Sequence, residues 1–199
     1  MKAMSDELLV KDVAAWRRWL RANHAKSDGE WLVMAKKGTT SPTSLTYDEA
    51  LEEALCYGWI DGQARSRDAT TRLQRWTPRR KRSNWSKRNT GIAERLVKEG
   101  RMQPAGLAEM ERAKADGRWA AAYAGPAAVT VPDDLVAALA KHPRAKAMFD
   151  ILTSQNRYAV LYRIQDAKRP ETRTRRIEQF AEMLARGETV YPQKQKLPG

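Results

Sequence analysis

The sequence is poor in the residues that most often announce a chemistry. Its 199 residues hold one cysteine, Cys56, and two histidines, His24 and His142. A single cysteine excludes a disulfide framework, and with only two histidines it also excludes zinc-finger spacing. Neither histidine sits in a motif that would set it beside a nucleophile: His24 reads as the edge of a core and His142, before Pro143, as a loop residue. There is no G-x-S-x-G, no phosphate loop and no dinucleotide fingerprint. The residues therefore imply no metal and no cofactor, and give enzyme status no direct support. Cys56 has Glu49, Glu52 and Glu53 close by in sequence, and acidic neighbours argue against an activated thiol.

Long apolar runs are missing as well. The alanine-rich stretch Trp119–Val131 is interrupted by Gly125 and Pro126, and residues 1–20 are broken by Asp6, Glu7, Lys11, Asp12, Arg17 and Arg18. Neither a membrane span nor an apolar leader is expected, which makes the cytoplasm the expected compartment. With 42% hydrophobic residues the chain folds, and its aromatic content is lopsided, with seven Trp against two Phe.

What the chain has in excess is positive charge, +13 overall. Residues 1–62 carry a net −2, residues 63–102 a net +10 and residues 103–199 a net +5. A segment so loaded repels itself unless something neutralises it, and points to an anionic partner, either a phosphorylated ligand or nucleic acid.

Hydrophobic periodicity places the elements. Leu9, Val13, Trp16 and Leu20 predict a helix over 6–25, and Trp31–Lys37 reads as a buried strand. Thr46 and Glu49 form a capping box that opens a helix ended at Gly58. Two strands follow, over 59–65 and 73–77. Strict alternation puts Trp59, Asp61, Gln63 and Arg65 on one face as a binding surface, with helices covering Ile60, Gly62 and Ala64. The basic stretch Arg79–Ser86 then runs into a helix over 87–99, and a second helix spans 105–116. Residues 125–132 look like a linker, beyond which the pattern is helical to about 187. The fold class expected is α+β, a small and mostly antiparallel sheet with helices followed by a C-terminal helical bundle. The divisions are 1–125, 126–187 and a disordered tail over 188–199.

The candidate site combines that strand face with the basic loop. Arg79, Arg80 and Arg82 at a helix start suit an anion, because free amides and the helix dipole add to their charge. Ser83 and Ser86 are either phosphate-contacting hydroxyls or merely caps of the helix that follows. Trp85, like Trp76, is either a stacking platform or core. The ligand-binding set is Asp61, Arg65, Arg79, Arg80, Ser83, Trp85, Ser86 and Asn89. A rival reading is an enzyme for a small anionic substrate, with Asp61 as general base and Arg79 as clamp. A third is a protein-interaction module. Arg173–Arg176 read as structural.

These residues also carry a family resemblance. The run Leu45–Gly62, with its Cys-Tyr-Gly-Trp-Ile-Asp-Gly ending, resembles the signature of the bacterial YdeI/OmpD-associated, or bacteriocin-protection, family. So do Thr77–Arg80, Ser83–Ser86 with Asn89, and Met102–Leu107; Val131–Leu135 and Ala167–Arg173 with Arg176 and Ile177 are similar to its helical segment. The resemblance spans about residues 8–187. It implies protection against bacteriocins or association with an outer-membrane porin, brings no catalytic residues, and in its porin part sits poorly with the missing leader.

Overall fold

The computed structural model describes residues 7–125 and 129–197 and divides the chain into two compact units, meeting at Ala122 and Tyr123. The start of the sequence-predicted first helix, residues 126–128 of the linker and the last two residues of the tail lie outside the described residues.

The first unit is α+β. Its sheet holds β1 (Glu7–Leu8), β2 (Glu30–Ala35), β3 (Trp59–Ser66) and β4 (Thr71–Pro78) in the order β1-β2-β4-β3. β1 pairs parallel to β2, whereas β4 runs antiparallel to both β2 and β3. The predicted helix over 6–25 is shorter, α1 (Val13–Asn23), because the Asp12 side chain accepts from Ala15 N at 2.8 Å and caps it there. Glu7 and Leu8 pair instead with Trp31 and Leu32. A two-residue strand is too short to show an alternation, so the spacing of Leu9 to Leu20 reads as helix.

An indole core holds this unit together. Trp16, Trp59 and Trp76 are each at most 1% exposed, and the Trp16 ring lies 6.4 Å from both others. Their polar edges are used where they can be: Trp16 Nε1 donates to Ala50 O at 3.2 Å, and Trp59 Nε1 to His24 O at 3.1 Å. Helix α2 (Tyr47–Cys56) starts with the predicted capping box, Thr46 and Glu49 satisfying each other's amides. Gly58 follows with φ +73°, a left-handed turn that favours glycine.

Helices α3 (Lys87–Lys98) and α4 (Pro104–Ala115) complete the unit. α4 approaches the end of α2 so closely that a Cβ at Gly106 would fall 2.3 Å from Cys56 O and 2.7 Å from Leu55 O. A second tie is ionic. Glu53 is 2% exposed and accepts from Arg17 Nε at 2.8 Å and from Arg101 Nη2 at 2.8 Å. Burial pushes this carboxyl up, but the hydrogen bonds and charges of Arg17 and Arg101 outweigh it and hold it below the usual range. Cys56, beside it, is buried and its thiol is pushed up to about 12 by that burial, with Glu53 adding to the shift.

The second unit is helical: α5 (Asp133–Ala140), α6 (Pro143–Asp150), α7 (Ser154–Gln165) and α8 (Pro170–Ala185). Leu135, Leu139, Met148, Val160, Ile164, Ile177 and Leu184 form its aliphatic core. Arg173 grips Asp134 with two bonds of 2.6 and 2.9 Å, tying the starts of α8 and α5 as the structural reading of that arginine expects. Residues 188–197, expected as a disordered tail, have no regular secondary structure, yet they are pinned. Tyr191 N donates to Asn156 Oδ1 at 2.8 Å, Asn156 Nδ2 returns a bond to Tyr191 O at 3.0 Å, and Gln193 Oε1 accepts from the same amide. Nothing local in the tail sequence signals these partners, which stand some 35 residues away.

All seven tryptophans lie in the first unit, so indole fluorescence reports its unfolding alone. Gly106→Ala is expected to lower its stability by roughly 1–3 kcal/mol in a denaturant titration, because only backbone could move to make room. Glu53→Gln is expected to cost about 2 kcal/mol at neutral pH, less than a fully sealed pair because Arg17 and Arg101 reach water. Since the folded carboxyl titrates below its unfolded value, its contribution is present above about pH 4.3 and is lost as pH falls through the depressed folded value. The stability difference between wild type and Glu53→Gln should therefore shrink on acidification over that window.

Candidate functional site

A single irregularity in β3 rearranges the predicted strand face. Asp61 pairs with Trp76 and Ala64 pairs with Gln74, so three residues of β3 span the two of β4, a β-bulge. The Gln74 side chain, 3% exposed, holds it by donating to Gly62 O at 2.9 Å and to Gln63 O at 3.3 Å. The extra residue reverses the side-chain phase beyond it. Trp59 and Asp61 share the face of Trp76, Leu32 and Met34, which α1 and α2 cover. Arg65, opposite Leu73, faces the other way, its guanidinium carbon 4.0 Å from the centre of the Trp31 ring. The expectation that Asp61 and Arg65 share one open face, with helices on the Ile60 side, is thus corrected on both counts. Gly62 is the signal that could have warned of it, since a glycine inside a strand often marks a bulge.

The basic loop is a braced turn. Arg79 is 6% exposed; its amide donates to Gly58 O at 2.9 Å and its Nη1 to Asn84 O at 3.2 Å. Its guanidinium carbon lies over the Trp85 ring, 3.6 Å from the ring centre. Trp85 is itself 2% exposed and packs 4.7 Å from Trp119, so of its two readings it takes the core one. Trp76 does the same. Ser83 Oγ accepts from Arg80 N at 3.1 Å, and Ser83 O accepts from Arg118 Nη1 at 2.6 Å. Ser86 Oγ accepts from the amide of Asn89 at 3.2 Å and caps α3. The structure thus brings Arg79, Arg80, Ser83, Trp85, Ser86 and Asn89 together as one loop and helix start, while Asp61 and Arg65 lie on opposite faces of the sheet.

Much of the positive charge of residues 63–102 is spent inside the protein. Arg67 pairs with Glu7 and Asp68, Arg95 with Glu52 and Glu99, and Arg101 with Glu52, Glu53 and Glu99. The side chains of Arg80, Lys81, Arg82 and Lys87 are exposed and make no ion pair among the described residues.

Sequence reasoning missed the group around Asp61. The Tyr47 hydroxyl donates to Asp61 Oδ2 at 3.0 Å. The guanidinium carbons of Arg72 and Arg88 lie 5.4 and 5.5 Å from the Tyr47 ring centre, and Arg88 also pairs with Asp48 at 2.6 Å. Burial, then the charge and hydrogen bond of Asp61, push the Tyr47 phenol up to about 12 against the opposing pull of Arg88. At neutral pH it is a donor to Asp61, and two cations stand near its ring. Tyr47 reads in sequence as one more apolar position of α2, and nothing local links it to Arg72. No group of three or more His, Cys, Asp or Glu among the described residues is placed to hold a metal ion.

The chain is thus a two-part protein, an α+β unit bearing a cationic loop and a helical unit. Residues 8–109 match the family model described as "Domain of unknown function (DUF8412)", and residues 128–187 match "Bacteriocin-protection, YdeI or OmpD-Associated". The chain belongs to the DUF8412 family, whose model covers half of it, and the match of its helical unit supports the resemblance to the YdeI/OmpD-associated, bacteriocin-protection family. The Leu45–Gly62 run falls within the first match and Ala167–Ile177 within the second. No curated protein and no solved structure matches the chain. No described helix is long and apolar enough to cross a membrane.

Asp61→Asn is expected to lower the titration of Tyr47 from about 12 while leaving it above the ordinary phenol value, because burial persists. Alkaline tyrosinate absorbance, taken as the difference from Tyr47→Phe in each background, checks this. An unshifted titration would show that Asp61 exerts no hold on the phenol.

Proposed function

We propose that this protein is a cytoplasmic anion-binding protein whose ligand carries phosphates in series, as nucleic acid does. The observation that supports this is the set of exposed cations Arg80, Lys81, Arg82 and Lys87, left without internal acids on a loop that Arg79, Trp85 and Arg118 brace. Preorganised cations lose little freedom on binding, and neighbouring cations suit neighbouring phosphates. Arg79 acts in this reading as the pillar of the loop rather than as a contact to the ligand. The single, buried thiol is consistent with a reducing compartment.

The Tyr47–Asp61 pair with Arg72 and Arg88 favours a second reading, an enzyme that holds a small anion there with Asp61 as base. Arg79, packed on Trp85, is replaced as clamp by Arg72 and Arg88.

Gel-shift titration of short duplex and single-stranded oligonucleotides over a range of salt separates the two. The first reading expects binding whose log affinity falls with log salt by roughly 0.9 per duplex phosphate contacted, or 0.7 for a single strand. The combined Arg80→Ala, Lys81→Ala and Arg82→Ala variant should weaken it and flatten the slope by about 2 to 3, while Asp61→Asn leaves it unchanged. No retention at about 50 mM salt would remove this reading.

A further inference from the structure

The helical unit holds a cavity that the cationic loop does not involve. Between α7 and α8 lies a cleft of about 340 Å³ lined by Arg163, Asp166, Arg176, Gln179, Phe180 and Met183. That volume falls in the range of small-molecule sites, which combine an apolar lining with a few polar groups. The lining here is of two kinds. Phe180 and Met183 are half-buried, packed on the aliphatic core and also bordering the cleft. Opposed to them in character are two guanidinium groups and one carboxylate.

The cations are in surplus and one of them is under-solvated. Arg176 is held in place, since its Nη1 donates to the carbonyl of Arg163 and stands 3.9 Å from Asp166 Oδ2. Arg163 has Nη1 sealed from water with no hydrogen bond among the described residues, and its guanidinium carbon lies 5.9 Å from the Tyr191 ring centre. A guanidinium that has lost part of its hydration without a full set of acceptors gains from an anion on its remaining side. A carboxylate matches the planar fork of arginine in a way that a spherical anion does not.

We infer that this cleft binds a small monoanion with an apolar body, a medium-chain or aromatic carboxylate. The carboxylate meets Arg163 and Arg176, and the hydrocarbon lies on Phe180 and Met183. The site belongs to a different unit from the Arg80–Lys87 loop, so either can fail without the other.

Titrating the full chain with octanoate, octan-1-ol and octylammonium, followed by NMR chemical shifts, tests it. Octanoate should give saturable shifts centred on the cleft residues, with the alcohol and the amine weaker by about tenfold or more, the scale of one lost charge-assisted hydrogen bond. Arg163→Met keeps most of the apolar stem and should weaken octanoate by a similar factor, whereas Arg175→Gln, exposed on α8, should change nothing. If Arg163→Met disturbs the fold, Gln179→Glu supplies the second arm: an isosteric change that adds negative charge to the cleft, it should weaken octanoate and narrow its advantage over octylammonium. Equal binding of the three probes, or octanoate affinity unchanged in both variants, would overturn the inference.

Discussion

The bulge in β3 decides where the chemistry of the first unit can lie. One side chain, Gln74, supplies both hydrogen bonds that hold it, and the phase reversal it stabilises puts Asp61 under the helices and Arg65 outside them. Without it, a strand with the same residues would present carboxylate and guanidinium on one face. With it, Asp61 finds the Tyr47 hydroxyl and the indole core, while Arg65 covers Trp31 on the far face. A bulge near an edge strand also breaks the regular row of amides that would otherwise invite a second strand, and β3 is such an edge.

Charge shows a second economy. A net +10 over forty residues implies a strongly cationic surface if each side chain is counted alone. The fold removes much of it by pairing across the sequence: Arg67 with Glu7 sixty positions away, Arg101 with Glu52 forty-nine away, Arg88 with Asp48 forty away. Two more arginines, Arg65 and Arg79, place their guanidinium carbons over indole rings. The acidic helix α2, which makes the first third of the chain net negative, is the main acceptor of this charge. Arg80, Lys81, Arg82 and Lys87 keep theirs, being exposed and without an ion pair among the described residues.

The two units reach stability by different means. The first packs indoles whose N–H groups are matched to backbone carbonyls at Trp16 and Trp59, and it closes with a glycine contact at Gly106 and a buried carboxylate between arginines. The second packs aliphatic side chains and secures its ends with Asp134–Arg173 and with Asn156 on the final segment. Tryptophan is segregated along the chain, every one of the seven lying before residue 120, while both phenylalanines belong to the helical unit.

Local physics made a large part of this legible. The capping box at Thr46 and Glu49, the glycine at the end of α2, Pro170 at the start of α8 and the apolar faces of the last helices act over a few residues. The sequence by itself therefore determines the α+β unit, the helical unit and most element positions, because caps, turns and periodicity are short-range effects. The candidate site was legible only as the loop Arg79–Asn89. Which of its side chains face solvent, which acids cancel which arginines, and which side of the sheet carries Asp61 were decided by tertiary structure alone. Each depends on partners tens of residues apart and on one inserted residue whose effect is to reverse every side chain beyond it.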